Sequence, residues 1–151
     1  GIVLVEVYDA DAPGGRSSFV NISTRAYATT GNGVTIGGFV ISGTGSKRVL
    51  LRAVGPTLTT QQLAEGEVLT DPMIELHAGR PVIATNDDWS SNANAASFVS
   101  TGSRIGALPF DASDNKSSAL LLTLPAGVYS FIAQGKTSTS GIVLVEVYDA
   151  D

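Results

Sequence analysis

Apolar residues recur along this chain with a period of two. In residues 2–8, Val3, Val5 and Val7 fall on one side and Ile2, Leu4, Glu6 and Tyr8 on the other, the alternation of a β-strand whose branched residues suit the pleat. Residues 19–28 repeat the pattern with Val20, Ile22 and Ala26, and Gly31-Asn32-Gly33 supplies a tight turn into a returning strand at 34–41. A second turn at 43–46 leads into a strand at 47–54, with Val49, Leu51 and Ala53 inward, Arg48 and Arg52 outward, and Gly55-Pro56 at its end. Residues 57–70 lack the alternation and read as a loop with one helical turn. Short strands at 73–76 and 82–84 flank a turn at 78–81, and the polar run 86–94 precedes a further helical turn within 95–105. Strong strands at 118–124 and 128–134, joined by Pro125-Ala126-Gly127, precede a last one at 142–148. About eight to ten short strands without a long helix predict an all-β fold, an antiparallel β-sandwich or jelly-roll-like module.

The last strand is also the first. Residues 141–151 repeat residues 1–11, GIVLVEVYDAD, letter for letter, so the 140-residue offset is a repeat period. A domain that needs this strand has one place for it. Residues 1–11 therefore read as the last strand of a preceding repeat, or as a strand donated to a neighbour, together with the start of a linker. Residues 12–151 read as one complete module, with Pro, Gly and Ser at 10–18 marking the boundary. The absence of an initial Met points to a segment of a longer tandem protein or a processed subunit. The assembly residues on this reading are Ile2, Val3, Leu4, Val5, Val7 and Tyr8 in the first copy and Ile142, Val143, Leu144, Val145, Val147 and Tyr148 in the second.

With 43% hydrophobic and 15% charged residues in 151 positions, the chain suits one domain with a substantial core. The net charge of -5 is inflated by the repeat: without Glu6, Asp9 and Asp11, 11 acids face 9 bases, or -2. No basic stripe offers itself to nucleic acid. Cysteine is absent, which excludes disulfide staples and thiolate metal sites. Neither a signal peptide nor a membrane span is visible, the apolar runs being strand-sized.

The most suggestive chemistry is Asn86-Asp87-Asp88-Trp89. With Asp71 and Glu75 on the preceding hairpin arm, Asn86, Asp87 and Asp88 offer the oxygen ligands that calcium prefers; the plainer alternative is that these residues cap a turn. Calcium is the one candidate cofactor, and none is required. An enzyme is not expected. His77 is the only histidine and sits in a strand, no G-x-S-x-G elbow exists, and Gly43-Thr44-Gly45-Ser46-Lys47 has the wrong spacing for a phosphate loop. Asn21-Ile22-Ser23 and Asn115-Lys116-Ser117 match the glycosylation acceptor pattern, which is common by chance.

Residues 71–148 resemble the bacterial pre-peptidase C-terminal domain. The similarity is carried by DPMIELHAGRPVIATNDDW at 71–89, SSALLLTLPAGVYSFIAQG at 117–135 and the closing GIVLVEVYD. It implies a β-sandwich in a secreted protein, with calcium near the N-D-D turn at Asp71, Asn86, Asp87 and Asp88. Residues 12–70, with VNISTRAY and KRVLLRAVGPTL, depart from that family and look like repeats of large secreted bacterial surface proteins. The expected function is thus a structural module of an extracellular or cell-surface fibre, stalk or sheath. Identical neighbouring repeats or subunits are its partners, joined head to tail through the duplicated strand. The alternative is a calcium-dependent adhesion or carbohydrate-binding module.

Overall fold

A computed structural model of the chain describes residues 2–10 and 18–151; most of the linker expected at 10–18 lies outside the described residues. The fold is all-β. Among the described residues, six strands form one sheet: β1 (Asn21–Ala28), β2 (Thr35–Val54), β3 (Pro72–His77), β4 (Val82–Asn86), β5 (Ser118–Gly135) and β6 (Gly141–Asp149), in the order β1-β6-β2-β5-β3-β4. Every pairing between them is antiparallel.

The strand count is lower than expected because two pairs of expected strands are continuous and residues 2–8 form no strand. β2 runs for 20 residues through the turn anticipated at 43–46, and β5 for 18 through Pro125-Ala126-Gly127. Those turn residues do not reverse the chain. They mark a slip in the β2–β5 ladder, where Ile41 pairs with Gly127 but Ser46 pairs with Pro125. Extra residues on one strand of a pair bend it and increase its twist, and Gly43, at φ 89°, takes a conformation that favours glycine.

The bend divides the sheet into two halves that share the long ribbon. β3 pairs with β5 at 130–135, whereas β6 pairs with β2 at 49–54. One core unites both halves: Val49, Leu51, Ala53, Leu120, Val143 and Val145 cluster with Ile74, Leu76, Phe131 and Ala133. The helix contributes nothing to this cluster, so the folded sheet covers its own face and a single sheet does the work of a sandwich's two layers.

The opposite face of the β6–β2 half has a different cover. Helix α1 (Ala95–Ile105) runs for 11 residues where sequence suggested one turn, and stops at Gly106 in the left-handed conformation, with Ala107 N–H donating to the Gly102 carbonyl at 2.9 Å. Its Phe98 packs with Leu50, Ala119, Tyr148 and Ala150. Beside it, Leu58 in the 3-10 segment Pro56–Gln61 packs with Val54 and Val68. This second layer overturns the expectation that Arg52 points outward. Its strand is covered on both faces, and Arg52 is buried.

Candidate functional site: a strand slot and an acidic cluster

The two copies of the repeated strand have opposite environments. The second, as β6, lies between β1 and β2, with Tyr27 opposite Ile142, Asn21 opposite Tyr148, Val54 opposite Leu144 and Val49 opposite Asp149. The first carries no strand pairing and is exposed throughout its described residues. Val3 and Val5 are 81% and 79% exposed; Val143 and Val145, the same positions in the second copy, are 0% and 4% exposed.

The slot is specific at its entrance, its middle and its exit. At the entrance, Gly141 lies so close to the loop before β3 that a Cβ would stand 2.5 Å from Leu69 N and from Val68, so only glycine fits. The next residue is held from both sides: Ile142 N–H donates to the Glu67 carbonyl at 2.7 Å, and Leu69 N–H to the Ile142 carbonyl at 2.8 Å. Along the middle, Val143, Val145 and Val147 face the folded-sheet core while Ile142, Leu144 and Tyr148 face the loops and α1, the two faces expected from the alternation.

One charged residue of the strand is buried and has a prepared partner. Glu146 lies 3.3 Å from the Arg52 guanidinium, with both side chains under 5% exposed, and accepts the Tyr148 hydroxyl proton at 2.7 Å. Arg52 in turn donates to the Leu108 carbonyl at 2.6 Å and lies over the Phe110 ring, which stacks on Trp89. Burial lowers the Arg52 pKa, against which Glu146 acts most strongly; burial, then the bond to Glu146, raises that of Tyr148. A buried ion pair contributes little net stability against an apolar pair, yet either partner left alone is costly. Arg52 and Glu146 therefore depend on each other for burial.

At the exit, Lys47 bridges Asp149 and Asp151 at 2.8 and 3.1 Å, and Arg104 donates to the carbonyls of Ala150 and Asp151. Every side chain that β6 and its tail bring to these contacts is present in residues 1–11. One internal contact is already made there: Tyr8 donates to Glu6 at 2.8 Å, as Tyr148 does to Glu146.

The expected calcium residues lie together only in part. Carboxylate oxygens of Asp71, Asp87 and Asp88 approach within 4.8 Å of one another. Asn86 turns elsewhere, its Oδ1 accepting the Ala119 N–H at 2.9 Å. Two lysines already face the cluster: Lys136 bonds Asp87, and Lys116 lies 3.1 Å from Asp88. Buried oxygens of Asp71 and Asp87 nevertheless lack a hydrogen-bond partner, and desolvation raises the Asp71 pKa, with Lys116 the largest opposing influence. His77, in β3, has Nε2 3.6 Å from Glu75.

Sequence reasoning missed Asp114. Buried, it accepts five bonds, from the backbone N–H groups of Thr57, Lys116 and Ser117 and the hydroxyls of Thr57 and Ser117. It ties residues 111–117 to the 3-10 segment, and its carbonyl accepts the Trp89 ring N–H at 2.7 Å, which positions the aromatic stack behind Arg52. The spacing Asp114-x-x-Ser117 was the available signal, since Asp and Ser commonly bond backbone a few residues on.

Among known proteins, no family model matches the chain, and a search of curated proteins finds no match.

Proposed function

We propose that this chain is a structural module that joins identical modules head to tail, through the duplicated strand, into an extracellular or cell-surface fibre, stalk or sheath. The observation that carries this reading is the contrast between the copies: one sequence is an internal strand of the sheet in its second occurrence, and in its first the described residues 2–10 lie exposed and outside the sheet. An apolar strand left in water invites pairing with another chain, and the place built for it is a slot like its own. Donation in trans and a covalent array both follow, because in an array the copy before a linker closes the unit upstream.

The test requires an acceptor without a strand of its own. Residues 18–151 carrying Val145→Asp lack the first copy, and the second would bury an unpaired carboxylate. Mixed with the native chain, this acceptor should form a one-to-one complex by light scattering, and a peptide of residues 1–11 should compete. No complex at any concentration would sink the proposal.

A second reading, a calcium-dependent adhesion module, draws support from the convergence of Asp71, Asp87 and Asp88. Lys116 and Lys136 already supply positive charge there, so a cation must displace ammonium groups to enter. Bound calcium stabilises by RT ln(1 + [L]/Kd), about 2.7 kcal/mol at a hundredfold excess over Kd. A melting temperature unmoved between chelator and millimolar calcium would reject it.

A further inference from the structure

We propose that the slot between β1 and β2 is open to both ends of the same chain: residues 2–9 can fold back onto β1 as a hairpin, take the place of β6 and set residues 141–151 free. The inference rests on the reading of the two copies as interchangeable strands. It adds that the exchange takes place within one molecule as well as between molecules.

Register is the first argument. Because β1 and β6 are antiparallel with Asn21 opposite Tyr148 and Ala28 opposite Gly141, the same register puts Asn21 opposite Tyr8 and Tyr27 opposite Ile2. That is the direction in which a strand preceding β1 must return. The ladder continues at its end, where Asp149 N–H donates to the Val20 carbonyl at 2.8 Å; Asp9 inherits that place.

Reach is the second. If Ala10 and Asp11 take the path of Ala150 and Asp151, eight residues, 12–19, remain to connect back to Val20. The gap is about one strand spacing plus two residues of rise, roughly 5 Å and 7 Å, against roughly 26–29 Å for eight extended residues. Pro13-Gly14-Gly15 within the connection suits a reversal.

Energetics is the third. Identical side chains enter identical surroundings, so burial of the valines, the Glu–Arg52 pair and the clasp by Lys47 and Arg104 cancel between the two states. Only the connections differ. β6 is tied to β5 by the five residues 136–140, and the first copy to β1 by the linker; closure cost grows only as the logarithm of loop length, so neither tether excludes the other. What the second copy holds alone is the approach through Ser140, whose hydroxyl accepts the Tyr27 proton at 3.2 Å. That exposed bond is a small bias.

In an array each copy would then lie between two claims, one from the unit before it and one from the unit after it, and a unit that loses one strand could close with the other. The full chain carrying Val145→Asp tests this, with a cysteine pair, Leu4→Cys and Arg25→Cys, as reporter. Leu144 stands opposite Arg25, so Leu4 stands there after exchange, and the chain has no native cysteine to confuse the result. The expected outcome is a folded monomer whose disulfide closes within one molecule at least about tenfold faster than in the same pair without Val145→Asp, a factor that corresponds to about 1.4 kcal/mol of bias. Chains joined by intermolecular disulfides would overturn exchange within one molecule while leaving head-to-tail joining intact. A destabilised monomer that forms neither disulfide would overturn both.

Discussion

Residues 2–8 and 142–148 are the same peptide in two conditions. In one place Val, Leu and Ile side chains stand in water; in the other the valines at 143 and 145 touch no solvent to speak of. Period-two patterning states that a strand has two usable faces, but the receiving site decides whether they are used. Here that site is unusually demanding, because both faces are covered and a buried arginine must find its carboxylate. The contrast can be broken by making the same substitution in each copy. To keep exchange from masking the cost, the second-copy variants belong in a chain whose first copy is disabled by Val5→Asp.

The largest difference should come from the ion pair. In that background Glu146→Ala leaves Arg52 buried without its counter-charge, a loss of about 3–5 kcal/mol, held to the lower end by its contacts with Leu108 and Phe110. Glu6→Ala, in the otherwise native chain, should leave the urea midpoint where it was. With an intact first copy, Glu146→Ala should cost markedly less than in the disabled background, because the other strand supplies Glu6. Equal costs with and without Val5→Asp would mean that the copies do not exchange. Val143→Ala is next: two buried methyl groups and the cavity they leave amount to roughly 2–3 kcal/mol, whereas Val3→Ala should stay within about 0.5 kcal/mol of the native chain. Equal effects at 143 and 3 would show that the first copy is itself packed.

Tyr148 and Tyr8 separate more finely. Loss of the hydroxyl bond in Tyr148→Phe should cost about 1 kcal/mol at neutral pH. The pKa of Tyr148 is raised in the fold, so the stability linked to its proton is complete below the unfolded value of about 10 and falls as pH climbs above it. Tyr148→Phe should flatten that alkaline loss. The pKa of Tyr8 is also raised, by its bond to Glu6, but that contact spans two residues and can form in the unfolded chain, so Tyr8→Phe should leave the alkaline slope unchanged. A denaturation series from pH 8 to 11.5 reads both.

Local pattern identified the strands well where one face decides. Val49, Leu51 and Ala53 are inward, and the valines of the last strand line the core, as alternation required. It failed where a partner decides. Gly43 and Pro125-Ala126-Gly127 carry the composition of reversing turns, yet each faces the other across a bent ribbon, so two predicted hairpins became one bulge. Arg52 alternates like an outward residue, but the helix and loops that bury it come from residues 56–114, and no window around β2 contains them. The same holds at the acidic cluster. Asp71, Asp87 and Asp88 were legible as oxygen donors, whereas Lys116 and Lys136, which answer them, come from far along the chain and carry no local mark.

The smallest effect lies at the exit of the slot, where Lys47 holds Asp149 and Asp151. Its side chain is 40% exposed and those of its partners 29% and 51%, so water and salt screen both pairs, and exposed bridges of this kind are worth up to about 1 kcal/mol. Both bonds raise the Lys47 pKa, with that to Asp149 foremost. The contribution is therefore present at neutral pH and disappears as pH rises beyond the ordinary lysine range. Lys47→Met keeps most of the apolar stem and removes the charge. In the Val5→Asp background it should lower stability by less than about 1 kcal/mol at low ionic strength, and by less still at 1 M salt, where the Debye length is about 3 Å. Glu146→Ala should keep most of its cost under the same salt, because the buried pair is out of reach of mobile ions. Equal salt sensitivity for the two variants would mean that the middle of the slot is as wet as its end, and that burial does not separate the two copies of the strand.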